Sequence, residues 1–203
     1  MVSHLRHSFF DYDTTNFCTA LCVGFAAFLR AGEFTWDQWD PLSSPRFRLS
    51  RKHITFNIQQ GSATLFLPAS KTDPYAKGTE IHLPPTGTEI CPVAALSHLF
   101  ERFPSHADAP LFNYTANPFS RSHLVDRIKL TLLKIGIDAS KYSGHSLRKG
   151  AAVSASQQGI SRAEIQLLGR WKSDAVDIYI NEVTKSDHQA KMLNLRSCLL
   201  ARP

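Results

Sequence analysis

The stretch from Phe17 to Leu29, FCTALCVGFAAFL, constrains the fold more than any other part of the chain. It is apolar nearly all round, and a helix without a polar face must be covered on every side. Its thirteen residues fall short of the roughly twenty needed to cross a bilayer. It also lacks the basic flank and cleavage site of a signal peptide. The spacing therefore predicts a central core helix through TTNFCTALCVGFAAFLR, with Asp13 or Thr14 as its N-cap and Gly32 and the following loop as its end. A chain of 203 residues with 43% hydrophobic content can bury such a helix, and one domain over residues 1–203 is expected. With no secretory signal in view, an intracellular site and no membrane partner are the default readings.

Around this helix the chain alternates short strand patterns with amphipathic helices. Ile54, Phe56 and Ile58 alternate as in a strand, Gln60 and Gly61 form a turn, and ATLFLP and TEIHLP read as two more strands flanking SKTDPYAKG. Beyond Pro92, VAALSHLFERF has helical spacing that Pro104 to Pro110 interrupts. Ser120 caps RSHLVDRIKLTLLKIG, whose Leu124, Ile128, Leu132 and Ile135 form one apolar stripe, with a basic opposite face and Gly136 as a stop. HSLRKGAAVSASQQG, RAEIQLLGR after Ser161, a short segment at Ala175 to Tyr179 and a tail from Lys185 to Leu200 complete the helices. The expected class is α+β: a mainly helical domain with a small three-stranded antiparallel sheet.

Chemistry enters at GHSLRKGAA, Gly144 to Ala152. His145 and Arg148 stand three residues apart at a helix start, where i and i+3 side chains share a face and unpaired backbone N–H groups favour an anion. An imidazole that moves protons near neutral pH and a guanidinium that offers a planar fork suit a phosphate. Lys and Arg outnumber Asp and Glu by 23 to 17, a balance that fits a polyanionic partner. Cys18, Cys22, Cys91 and Cys198 show neither a CxxC pair nor a His/Cys cluster, so they read as reduced thiols rather than a disulfide framework or a zinc site.

The ordered blocks LRAGEF, SKTDPYAKG, GHSLRKGAA and LGRWKSDAVDIYI resemble the catalytic domain of the tyrosine recombinases, the phage-type integrases. Their wording is most similar to recombinases of eukaryotic, particularly fungal, transposable elements of the Crypton kind, and the resemblance covers roughly Thr14 to Ile180. It implies that Arg30 and Arg148 clamp a scissile DNA phosphate and that Glu33 orients the cations through charge-assisted hydrogen bonds. Lys71 protonates the leaving 5′ oxygen, with Lys77 in the same turn as its rival, and His145 assists proton transfer or holds the phosphate. Tyr179, thirty-one residues beyond Arg148, matches the nucleophile. Many members carry His or Trp nine positions before the nucleophile, where this chain has Arg170. Either Trp171 takes that role from one place later, or Arg170 contacts the phosphate itself.

The implied activity is DNA breaking and rejoining through a 3′-phosphotyrosyl intermediate, giving site-specific recombination or integration without ATP, metal or other cofactor. Double-stranded DNA is the implied partner, met by Arg46, Arg48, Arg51, Lys52, His53, Arg121, Arg127, Lys129, Lys134 and Lys149, whose phosphate contacts give affinity rather than sequence choice. The eukaryotic wording implies a nuclear setting. The N-terminal helical domain that completes the family's DNA clamp is not expected within these residues: either the chain is a fragment or another protein supplies that domain. Residues 181–203 either dock onto a neighbouring protomer, in a tetramer on DNA, or fold back on their own domain. Two other readings stay open: a recombinase-derived DNA-binding module that no longer cuts, and a relaxing enzyme that uses the same chemistry.

Overall fold

A computed structural model describes residues 11–37, 49–70, 73 and 75–180. Lys71, Arg46, Arg48 and the tail 181–203 lie outside the described residues. The chain divides into two compact units, residues 1–148 and 149–203. The class is α+β, with helices and one small antiparallel sheet.

The first unit is built round α1, Tyr12–Ala26, of which Phe17, Cys18, Ala20 and Val23 are fully buried. Its cap is Asp11, whose carboxylate accepts the Thr14 N–H at 2.8 Å, rather than Asp13 or Thr14. Asp13 instead reaches across the fold to accept the N–H and hydroxyl of Thr115. The helix also ends earlier than its composition predicts. Ala27 is the C-cap, Phe28 turns into the left-handed region at φ 51°, and Leu29 donates its N–H back to the Gly24 carbonyl at 2.9 Å. Phe28 donates to Phe25 in the same closure, the paired bonding of a Schellman motif. A separate short helix α2, Ala31–Phe34, follows. Apolar composition stayed continuous across the break because Phe28 and Leu29 are themselves buried.

The sheet runs β1 Ile54–Asn57, β2 Ser62–Leu67 and β3 Thr79–Leu83, with β2 central and both pairings antiparallel. Ala63, Leu65 and Leu67 of β2 face the core, and Leu65 sits opposite Ile54 on one side and Ile81 on the other. Ile58, expected to end the first strand, lies beyond it and is 93% exposed. Helix α3, Pro92–Arg102, packs on α1, and its N-cap Cys91 accepts the Ala94 N–H. Helix α4, Arg121–Lys134, begins at the Ser120 cap and buries Leu124, Ile128 and Leu132. Phe34, Phe112, Tyr114 and Phe119 form an aromatic cluster beneath α2.

The division between units falls within α5, Ser146–Gln157. Within the second unit, α6, Arg162–Leu168, is capped by Ser161 and Glu164 in a reciprocal capping box. A 3-10 turn at Asp174–Val176 leads into the helical turn that carries Tyr179. No helix among the described residues is long and apolar enough to cross a membrane.

Burial contrasts set the expected stability losses. Leu65→Ala removes a fully buried side chain from the central strand and is expected to cost about 2–5 kcal/mol. Ile58→Ala, at an exposed tip, is expected to stay within about 0.5 kcal/mol. Urea denaturation with a shared m-value checks both.

Candidate active site

Residues far apart in sequence meet at a cavity of about 570 Å³ in the first unit. Its walls include Arg30 and Glu33 from α2 and its cap, Ser70 and Asp73 from the β2–β3 connection, Arg121 from the start of α4, and Gly144 with His145. Three of the four blocks singled out in the sequence therefore contribute to one recess. Ser70 and Asp73 bracket Lys71 in the sequence.

Each wall has a local cause. The closure at Phe28 and Leu29 ends α1, and Arg30 becomes the N-cap of α2 rather than the last residue of a long helix. Glu33 lies one turn on, and its carboxylate accepts the Arg30 backbone N–H and an Arg30 guanidinium N–H, each at 2.8 Å. Glu33 is 7% exposed, so this pair is only partly screened by water. One carboxylate thus fixes both ends of Arg30, main chain and side chain, which restricts where the guanidinium points.

The β2–β3 connection is closed by Asp73, whose carboxylate accepts the Gly78 N–H at 2.8 Å. Gly78 has φ +78°, and a Cβ there would lie 2.4 Å from the Phe66 ring, so backbone and space both demand glycine. Lys77, the rival to Lys71, is exposed in this connection.

The GHSLRK segment is held against the end of α1. Gly24 admits the Leu147 side chain, which would stand 3.1 Å from a Cβ at that position. One helical turn later, the Phe28 carbonyl accepts an Arg148 guanidinium N–H at 2.6 Å. Arg148 is 3% exposed and is not among the residues lining the cavity, whereas His145 is exposed and lines it. The expected pairing of His145 with Arg148 on one ligand-facing surface is thus split: the imidazole faces the recess and the guanidinium lies beneath.

In the second unit, α6 ends in a second Schellman closure. Gly169 is the C-cap, Arg170 adopts φ 57°, and Trp171 donates its N–H to the Gln166 carbonyl. The Trp171 ring covers Gly169 so closely that a Cβ there would fall 1.5 Å from it. The same ring stands 6.0 Å from that of Tyr179, tilted by 54°. Trp171 is therefore a neighbour of the expected nucleophile, and Arg170 is the residue whose backbone turns to put it there. Arg162 bonds both Asp174 and Asp177, tying the Tyr179 turn to α6. This guanidinium holds the Asp177 carboxyl below the usual carboxylate range. Asp177 favours the folded state above its unfolded pKa, and that contribution is lost as pH falls through the lowered value.

Several expected DNA contacts are employed elsewhere. Arg51 is 5% exposed with its guanidinium 4.7 Å above the Phe100 ring. Arg127 lies over Phe17 and Tyr114 and donates to the Thr14 hydroxyl at 2.8 Å. Both guanidiniums lie over aromatic faces, which attract cations. Lys52 pairs with Asp108 at 2.7 Å, an exposed contact of small energetic worth. His53 accepts the Ser50 N–H at its Nδ1, and burial followed by the Lys52 charge pushes its pKa down. Arg121 is exposed at the cavity, and Lys129, Lys134 and Lys149 are exposed or half-buried. Arg162, Asp73, Phe28 and Gly169 support the site without having stood out in the sequence. Of these, only Asp73 and Gly169 lay inside the motif blocks.

Comparison with known proteins points the same way as the blocks do. Over 160 residues the chain is 29% identical to an integrase/recombinase XerD homologue of Selenomonas ruminantium, the match taking in 75% of this chain and 42% of that protein. The chain thus spans about two fifths of the length of the curated relative it matches. No family model matches the chain. The similarity supports the tyrosine-recombinase reading at the level of the family.

Removal of the Glu33 carboxylate tests the local design. Glu33→Ala is expected to lower stability by about 1.5–3 kcal/mol, the range for hydrogen bonds to charged groups, read from chemical denaturation. Gly169→Ala is expected to displace the Trp171 ring, read as a changed emission maximum in the intrinsic fluorescence while the far-UV spectrum is kept.

Proposed function

We propose that this chain is the catalytic part of a tyrosine recombinase that breaks and rejoins DNA through Tyr179. The observation that carries the reading is the convergence of Arg30, Glu33, Ser70, Asp73 and His145 on one cavity. That residues from three separate motif blocks share one recess supports a common ligand, and a recess bearing guanidinium and imidazole groups suits a phosphate.

In this mechanism the Tyr179 oxygen attacks a backbone phosphorus in line. The bond to the 5′ oxygen breaks as the phosphotyrosyl bond forms, and Lys71 gives the leaving oxygen its proton. Arg30 and Arg148 neutralise charge growing on the non-bridging oxygens, and His145 holds the phosphate or relays a proton. Such preorganised charges commonly supply the largest part of the acceleration. A phenol ionises near pH 10 in water, so cations around the phosphate also favour the phenolate as it attacks. Attack on the phosphotyrosyl bond by a 5′ hydroxyl of another strand regenerates Tyr179 and completes strand exchange. Trp171 packs beside Tyr179 and supplies its indole N–H to the phosphate in this reading. Double-stranded DNA is the substrate, more than one protomer acts on it, and the setting is that of a mobile element in a nucleus.

A second reading, a DNA-binding module that no longer cuts, is favoured by one observation: Arg148 is buried and bonded to the Phe28 carbonyl. Nicked or suicide duplexes carrying a candidate site separate the two on denaturing gels. A covalent protein–DNA adduct is expected from the wild type and none from Tyr179→Phe, with Arg30→Ala slowing its formation by about 10²–10³. DNA binding without an adduct on any substrate supports the non-cutting module. Absence of DNA affinity at low salt defeats both readings.

A further inference from the structure

Arg121 shares the cavity with Arg30 and His145 but belongs to none of the four motif blocks. It is the first residue of α4 and is exposed. Among the described residues, no carboxylate or carbonyl takes its hydrogen bonds. The other guanidiniums near this end of the unit are committed, Arg30 to Glu33 and Arg148 to Phe28.

Gly144 leaves room for the Arg121 side chain beside it. A Cβ at Gly144 would lie 2.7 Å from Arg121 Nε and 3.3 Å from its Nη2, with Ala31 Cβ also at 3.3 Å. The φ of Gly144 lies outside the left-handed region, unlike that of Gly78 or Gly136. Backbone conformation therefore gives no reason for glycine at this position. Space for the guanidinium does, because a Cβ there requires the Arg121 side chain to shift.

A count of charge gives the arginine its task. Among the described side chains that line the cavity, Arg30 is opposed by both Glu33 and Asp73. Without Arg121 that set carries a net negative charge and repels a phosphate. With it the set is neutral. Arg121 is thus the group that cancels the net negative charge of this set and lets the recess hold an anion.

We propose that Arg121 is a third phosphate-binding guanidinium, gripping the same phosphate as Arg30 and His145, and that Gly144 exists to admit it. The proposal rests on the DNA-phosphate reading of the cavity and adds a ligand to it. Its planar fork engages two phosphate oxygens, which a lysine ammonium at the same position does not reproduce.

Two readouts on the full chain test it. Inorganic phosphate is titrated and followed through the amide shifts of Gly144 and His145, with thermal melting as the check on folding. Wild-type protein is expected to bind with a millimolar dissociation constant. Arg121→Ala and Gly144→Ala are each expected to weaken binding about tenfold or more, with Arg121→Lys between. The same variants are then assayed for covalent adduct on suicide duplexes bearing either an ordinary scissile phosphate or a neutral methylphosphonate. Arg121→Ala is expected to slow the ordinary reaction by about 10²–10³ and the methylphosphonate reaction by less than about tenfold, because the oxygen charge it serves is gone. Equal loss on both substrates, or phosphate binding unchanged in Arg121→Ala, overturns the assignment. Phosphate binding that Arg121→Ala abolishes, with no adduct from wild type on any DNA, upholds the assignment and defeats the cleavage reading instead.

Discussion

The left-handed turn at Phe28 is the constraint on which the cavity-bearing unit depends. An apolar helix that continued past Ala26 would carry Arg30 along its own axis, on a face already committed to the core. The closure at Ala27, Phe28 and Leu29 instead buries Leu29 and frees the next residue to cap a new helix. The same turn exposes the Phe28 carbonyl to Arg148. Two residues 118 positions apart in the chain, by the numbering of Arg30 and Arg148, are thereby referred to one short segment of backbone. Glu33 then fixes the direction of Arg30 at 2.8 Å through main chain and side chain together. A long flexible arginine loses much of its rotamer freedom in that arrangement, and a clamp that is ordered before its ligand arrives loses less on binding.

Much of this was legible in the sequence because it follows from local periodicity. Alternation at Ala63, Leu65 and Leu67 marks a half-buried strand, and the caps at Ser120 and Ser161 announce their helices. The four blocks, read together, located the residues that meet at the cavity and the ring beside Tyr179. What stayed hidden depends on partners distant in sequence. Nothing in Arg51 or Arg127 says that an aromatic face lies beneath, so both read as surface charge. Arg121 stood among ten basic candidates with nothing to rank it, and its position beside Gly144 exists only in three dimensions. The early end of α1 was invisible for a different reason: Phe is among the residues least expected at positive φ.

The fate of the cations changes what the basic composition means. A formal charge of +6 suggests a broad electrostatic surface, yet interior rings take two arginines, and carboxylates pair with others. Long-range attraction scales with total charge, but recognition of one phosphate depends on which cations reach it. The cavity's balance of arginine against Glu33 and Asp73 is therefore more informative than the isoelectric point.

Among the described residues, the four helix ends closed by Schellman bonding divide in a telling way. After Lys134 and after Gln157 the left-handed position is glycine, Gly136 and Gly159, which adopt it without steric cost. After Ala26 and after Leu168 it is Phe28 and Arg170, for which the same conformation costs on the order of 1–2 kcal/mol. Glycine would serve those two closures more cheaply, so the side chains must contribute something that offsets the strain. Phe28 is buried beneath the cavity-bearing segment, and Arg170 immediately precedes the ring that packs on Tyr179. Ala76, the remaining non-glycine residue at positive φ among the described residues, lies in the connection that follows Lys71. All three strained positions fall inside or beside the motif blocks. Strain that clusters in this way is characteristic of sites where geometry is held for chemistry rather than for stability, and it marks the same segments as the motif blocks without reference to residue identity.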